Sequence, residues 1–160
     1  MEIQAIPLKI LENSNIILGQ THFIKTIEDL YEILKTTVPQ GKFGIAFSEA
    51  SGPCLIRWDG NDKELIDTAV ENLKNLSCGH TFCILIKDCY PINVLNAIKN
   101  CQEVCSIFCA TANPVKAIVA RDGKNGGILG VIDGEGPKGV EGEDDQKNRK
   151  EFLRKIGYKR

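Results

Sequence analysis

Histidine is scarce in this 160-residue chain, which has two, and methionine and tryptophan occur once each. With so few imidazoles and no C-x-x-C spacing, the sequence offers no clustered ligand set for a structural zinc ion. No apolar run approaches the roughly 20 residues that a membrane-spanning helix needs. The opening "MEIQAIPLKI" lacks the basic start and apolar core of a secretory signal. Both features lead us to expect a cytoplasmic protein with no membrane partner. Neither sign of charge prevails: 20 Lys and Arg against 21 Asp and Glu give a formal charge of −1. That balance gives no electrostatic basis for a nucleic-acid partner. The phosphate-binding fingerprints G-x-x-x-x-G-K-[ST] and G-x-G-x-x-G before a helix are missing as well. "DGEGPKG" has glycines and a lysine, but no helix follows at the required position. Repeats and low-complexity stretches are also absent, and the length suits one domain over residues 1–160.

Cysteine, in contrast, is plentiful, with seven residues. An odd number argues against a disulfide framework. Cys101, Cys105 and Cys109 recur at a spacing of four, which invites a metal reading. On a strand over "EVCSIFCAT", however, residues four apart share a face at about 3.3 Å per residue and stand too far apart to chelate one ion. We read them as small buried thiols.

The apolar pattern predicts about eight strands and four helices. "EIQAIPLKIL" and "NIILGQ" read as strands, joined as a hairpin around Asn13-Ser14-Asn15. Thr26 opens a helix, with Asp29 imitating a capping box and Ile27, Leu30, Tyr31 and Leu34 forming its apolar stripe. "KFGIAFS" and "CLIRW" flank the polar loop "EASGP". Asp59 or Asn61 caps a second helix, on which Leu65, Ile66, Ala69, Val70 and Leu73 keep a helical period. "TFCILIK" is a continuous apolar run, the mark of a strand covered on both faces. Pro91 begins a third helix that runs to about Asn100. "VCSIFCA", "VKAIVA" and "GGILGVI" add three strands, and "EDDQKNRKEFLRKIG" is a last helix, acidic at its start and basic at its end. The expected fold is a single α/β domain with a mixed, mainly antiparallel β-sheet covered by helices on both faces, a three-layer α/β/α arrangement. The glycine-rich stretch over 133–143 reads equally as a lid or as a plain surface loop.

Three places offer chemistry. His22 lies between a strand and a helix start, where the free N–H groups of the first turn and Lys25 would seat an anion such as phosphate; a histidine that merely packs at a corner fits the same spacing. His80 precedes the strand "TFCILIK". If that strand runs antiparallel to "NIILGQ", both histidines lie at one end of the sheet. Asp88 ends the same strand, and Asn93, Asn96 and Asn100 share a face of the helix behind it, as solvated surface or as amide partners for a ribose or base. The loop "FSEASGP" with "RWDGND" groups Ser48, Glu49, Ser51, Arg57 and Asn61 in a pattern suited to a binding mouth, although turn chemistry explains it equally well.

"GQTHFIKTIEDLYE", "KFGIAFSEASG", "IRWDGND", "GHTFCILIKDCYPINVLNAIKN", "EVCSIFCATANPV", "GILGVIDG" and "LRKIGYK" together resemble the adenosine-specific kinase family, a small, mainly archaeal group, in order and nearly end to end. The resemblance implies an α/β fold of its own kind that assembles as a homo-oligomer, for which we expect a trimer or a multiple of one. It also implies partners among adenosine, AMP and ATP, and a phosphoryl group carried on histidine on its way from a nucleotide to adenosine. The family blocks GQ[ST]HFIK and GH[ST]F fall on Gly19–Lys25 and Gly79–Phe82. His22 ranks first as the phosphoryl carrier because of its helix and Lys25, and His80 second. Gln20, Ser48, Glu49, Ser51 and Arg57 would bind ligand, Asn93, Asn96 and Asn113 would recognise base and ribose, and Asp88 or Glu49 would hold Mg²⁺ or act as base. Pro53 and Cys54 replace residues that are often basic in the family. A non-catalytic adenine-nucleotide sensor is the alternative to an enzyme.

Overall fold

The computed structural model describes residues 1–160. In chain order the elements are β1 (Glu2–Pro7), β2 (Ser14–Thr21), α1 (Thr26–Thr37), β3 (Lys42–Ser48), β4 (Ile56–Gly60), α2 (Lys63–Leu76), β5 (Thr81–Lys87), α3 (Pro91–Lys99), β6 (Val104–Thr111), β7 (Val115–Asp122), β8 (Asn125–Asp133) and α4 (Glu143–Lys155). No helix is long and apolar enough to cross a membrane.

The strands form two sheets rather than the one mixed sheet expected: β4-β3-β5-β2-β6 and β1-β7-β8. Every pairing in them is antiparallel. The expected hairpin of β1 and β2 does not form. β1 pairs with β7, more than a hundred residues away, and β2 lies between β5 and β6.

Alternation along the strands divides the core in two. Ile16, Leu18, Ala46, Cys83 and Leu85 pack with Leu65, Ala69, Leu73 and Leu76 of α2 and with Val115, Ala117 and Val119 of β7. Ile17, Phe43, Ile45, Phe47, Ile84 and Ile86 pack with Ile27, Leu30 and Leu34 of α1 and with Val94 and Ile98 of α3. β5 contributes to both clusters, which explains its unbroken apolar run. α2 rests directly on β3, where a Cβ on Gly44 would stand 2.2 Å from the backbone N of Ile66.

Two caps differ from expectation. Asp62, not Asp59 or Asn61, caps α2 by accepting from the Leu65 N–H at 3.1 Å. Asn61 instead ties β3, accepting from the Phe43 N–H and donating to the Gly41 carbonyl. At α1, Lys25 occupies the N-cap position without a side-chain cap, so the capping box read at Thr26 and Asp29 is absent. Cys101 and Cys109 are buried as expected, whereas Cys105, expected to be buried with them, is exposed, as is Cys54.

Candidate functional site

The antiparallel pairing of β2 with β5 sets Gln20 opposite Thr81. Both histidines therefore sit at one end of the five-stranded sheet. Thr21 donates its backbone N–H to the His80 carbonyl at 2.9 Å, and the His80 N–H donates to the Ser48 carbonyl at 2.8 Å. Three strand ends thus converge on one histidine. His80 has φ = 54°, in the left-handed region that side-chain-bearing residues rarely occupy. Its half-buried ring stacks on Phe47, with ring centroids 6.0 Å apart.

His80 opens into a cavity of ≈ 660 Å³ lined also by Gln20, Ser48, Glu49, Lys74 and Lys124. That volume lies in the range that holds nucleoside-sized ligands. Leu55, Ile56 and Leu73 supply apolar wall. Glu49 closes the loop between β3 and β4: one carboxylate oxygen accepts from the Leu55 N–H at 2.8 Å, and the other from Nε and Nη2 of Arg57 at 3.0 and 2.9 Å. The Leu55 N–H, followed by Arg57, holds this carboxyl below its usual range against the opposing effect of burial, so Glu49 stays anionic. Arg57 reaches the cavity wall only through Glu49, and Ser51 stands exposed on the same loop.

His22 lies at the same end of the sheet but outside the cavity. It is exposed and stacks on Phe23, and its N–H donates to the Glu103 carbonyl at 3.1 Å. The anion seat expected beside it is already satisfied. The N–H groups of Thr26 and Ile27 donate to the carbonyls of Phe23 and Ile24. Lys25 Nζ is bound by Asp29 and, at 3.2 Å, by the buried Glu103. Asp29 and then Glu103 raise the lysine's pKa. Burial works against charge on Glu103, yet the Cys101 thiol, which donates to it at 2.8 Å, and the Lys25 ammonium hold its carboxyl down at about 2. Asp29, Cys101 and Glu103 bring their ligand atoms within 4.8 Å of one another, but the Lys25 ammonium already serves them.

The remaining sequence candidates lie elsewhere. Asp88 follows β5 at the end opposite His80, about 23 Å away at strand rise, and faces Lys42 at 3.9 Å. Asn93 caps α3 by accepting from the Tyr90 N–H, Asn96 is exposed on that helix, and Asn113 lines a second hollow of ≈ 630 Å³ beside Tyr90. The structure does not bring these four residues together with the histidines. Of the two carboxylates expected to hold Mg²⁺, Asp88 stands away from the cavity and Glu49 has both oxygens engaged. The donor set on the wall does not compose a metal cage.

Sequence reasoning missed Lys74, Ser77, Lys124 and Asn125 on the cavity wall. Lys74 reads as an ordinary last-turn base, and Lys124 and Asn125 as turn residues in "RDGKNG". Their place depends on the β7–β8 turn docking against the end of α2, where Arg121 Nη1 donates to the Ser77 carbonyl at 3.1 Å. No local signal records that contact.

A family model described as adenosine specific kinase matches residues 6–159. The crystal structure of the PH1918 protein from Pyrococcus horikoshii OT3 is similar, with 43% identity and a TM-score of 0.95 over 99% of this chain and 98% of that one. No curated protein matches the chain.

Proposed function

The chain belongs to the adenosine-specific kinase family, and from that premise we propose that it phosphorylates adenosine in the cavity beside His80, through a phosphohistidine formed on that residue. The observation that carries this reading is the setting of His80. Its backbone is fixed on both sides in a left-handed conformation, and its ring opens into a nucleoside-sized cavity with two lysines on the wall. Strain of this kind, over-determined by surrounding hydrogen bonds, is typical of functional positions. We therefore rank His80 ahead of His22, because Lys25 is committed to Asp29 and Glu103.

In the first step a neutral imidazole nitrogen attacks the terminal phosphorus of a nucleoside triphosphate. The N–P bond forms as the bond from phosphorus to the diphosphate oxygen breaks. In the second, the 5′-hydroxyl of adenosine attacks that phosphorus, the N–P bond breaks, and the hydroxyl proton ends on the released imidazole nitrogen. Phosphoryl transfer depends above all on positioning and charge neutralisation, which Lys74 and Lys124 supply here from the last turn of α2 and the β7–β8 turn. Gln20 and Asn125 offer amide groups to the base edge against the apolar wall of Leu55 and Leu73. Glu49, kept anionic and tied to Leu55 and Arg57, fixes the loop that shapes the cavity mouth.

The test is incubation of the purified protein with γ-labelled ATP and adenosine. We expect labelled AMP and an acid-labile, base-stable label on the protein, both abolished in His80→Asn and both retained, at reduced level, in His22→Asn. AMP formation at full rate by His80→Asn refutes the covalent route through this residue.

A further inference from the structure

From Glu135 to the C-terminus the chain makes no hydrogen bond or ion pair outside itself; the last tie to the domain is the Gly134 N–H donating to the Pro114 carbonyl. α4 has no buried residue, and its apolar end leaves Phe152 57%, Ile156 46% and Tyr158 48% exposed. A lone helix of 13 residues is marginal in water, and helices of this kind gain their stability from packing. α4 has no such packing within its own protomer.

A matching vacancy exists on the other side of the ledger of apolar surface. In the three-stranded sheet, Ile6, Val119 and Ile128 turn toward the core. Register then places Ile3 beside Ala120, Ala5 beside Ile118, and Ile132 beside Lys116 on the outer face. Ile3, Leu129 and Ile132 are 66%, 62% and 54% exposed there. A small antiparallel sheet with apolar residues on both faces needs cover on both. The arm begins at the end of β8, so both unsatisfied surfaces lie on one chain, which neither satisfies for the other.

We propose that the chain assembles by arm exchange: residues 135–160 leave their own protomer and lay the apolar end of α4 on the outer face of the β1-β7-β8 sheet of a second copy. The span over 135–142 reaches at most about 28 Å when extended, enough to cross to a neighbour. The pose of the arm is not peculiar to this chain. A TM-score of 0.95 averages over the whole alignment with the Pyrococcus horikoshii structure, too high for the bulk of residues 135–160 to lie elsewhere in it. A relative with 43% identity thus carries the same extended arm in a crystal.

The experiment uses the full-length protein. Sedimentation velocity over about 1–100 μM is run for the wild type, for the arm variant Phe152→Glu/Ile156→Glu, and for the sheet variant Leu129→Lys/Ile132→Lys. Circular dichroism verifies that each is folded. We expect an oligomer for the wild type and a rise of at least about 100-fold in dissociation constant for each variant, the usual scale for interface anchors that carry most of the binding energy. In a mixture of isotopically light and heavy protein, Phe152→Cys/Leu129→Cys should oxidise to covalent species of mixed mass that neither single variant forms. A monomeric wild type, an arm variant that stays assembled, or disulfides confined to single chains overturns the proposal. None of these results bears on the chemistry proposed at His80, which the AMP assay reads separately.

Discussion

Glu103 is the buried charge on which the His22 corner rests, and its neutralisation yields a quantitative prediction. Its side chain is 3% exposed, and its carbonyl accepts from the His22 N–H and from Thr21 Oγ1. The folded protein holds the carboxyl at about 2, against 4.5 for a free glutamate. At 1.36 kcal/mol per pKa unit the ionised form is favoured by on the order of 3 kcal/mol. Lys25 is 47% exposed and water screens its share, so about 2 kcal/mol is the expected net effect. The folded pKa is depressed, so this stability is present above the unfolded pKa and disappears as pH falls through the folded one. Glu103→Gln removes the titration altogether. Urea unfolding followed by circular dichroism, at one fixed protein concentration and at pH 7, 5, 3 and 2, should show the variant about 2 kcal/mol less stable at pH 7 and 5. The gap should narrow below pH 4.5 and nearly close near pH 2. A gap that stays constant across this range would show that the variant acts by packing alone, and would refute the assignment of a buried, stabilised carboxylate.

Three further substitutions test the framework and the cavity. Gly44→Ala places a Cβ 2.2 Å from the Ile66 backbone N, and because that contact is with helix backbone it cannot be relieved by a side-chain rotation. We expect a loss of about 3 kcal/mol, seen in a thermal melt as a fall of about 6–12 °C; a change under about 2 °C would mean that α2 does not rest on β3 as described. Lys74→Ala and Lys124→Ala should each lower kcat/KM for AMP formation about 10–100-fold without changing the melting temperature, and unchanged kinetics in both would remove the two lysines from the proposed charge-neutralising role.

Periodicity made much of the fold legible. α2 and α3 fall where their apolar stripes place them, and the unbroken run "TFCILIK" marks β5 as covered on both faces. The division into two sheets was not legible. β1 finds β7 across more than a hundred residues, and the local turn signal around Asn13 points to a hairpin that would compete with that pairing. Caps failed for a related reason. "DGND" offers several good capping residues in succession, and which one caps depends on Asn61 being drawn off to Phe43 and Gly41. At the candidate site, the placing of both histidines at one end followed once β2 and β5 proved antiparallel. Of the two partners that hold Lys25, Asp29 stands four residues on and was legible, whereas the buried Glu103, 78 residues away, was not. Lys74 and Lys124 carry no motif. They become neighbours of His80 only through the docking of a β-turn on a helix end.

The distribution of backbone strain points to the same cavity by a separate route. Five non-glycine residues have positive φ: Asn13, Cys54, Ser77, His80 and Asp88. Asn and Asp tolerate the left-handed region through local hydrogen bonds, so Asn13 and Asp88 are explained by residue type. Cys54 and Ser77 have no such excuse, and together with His80 they line the cavity. Each such residue costs on the order of 1 kcal/mol, a cost that glycine would remove. Ser77 closes α2 with its N–H donating to the Leu73 carbonyl, a position where glycine is the usual choice. A fold that needed only a turn at these positions gains nothing from the side chains it carries there. Their concentration around one hollow, on three separate segments, supports the site proposed at the His80 end of the sheet over one at the asparagines at the other.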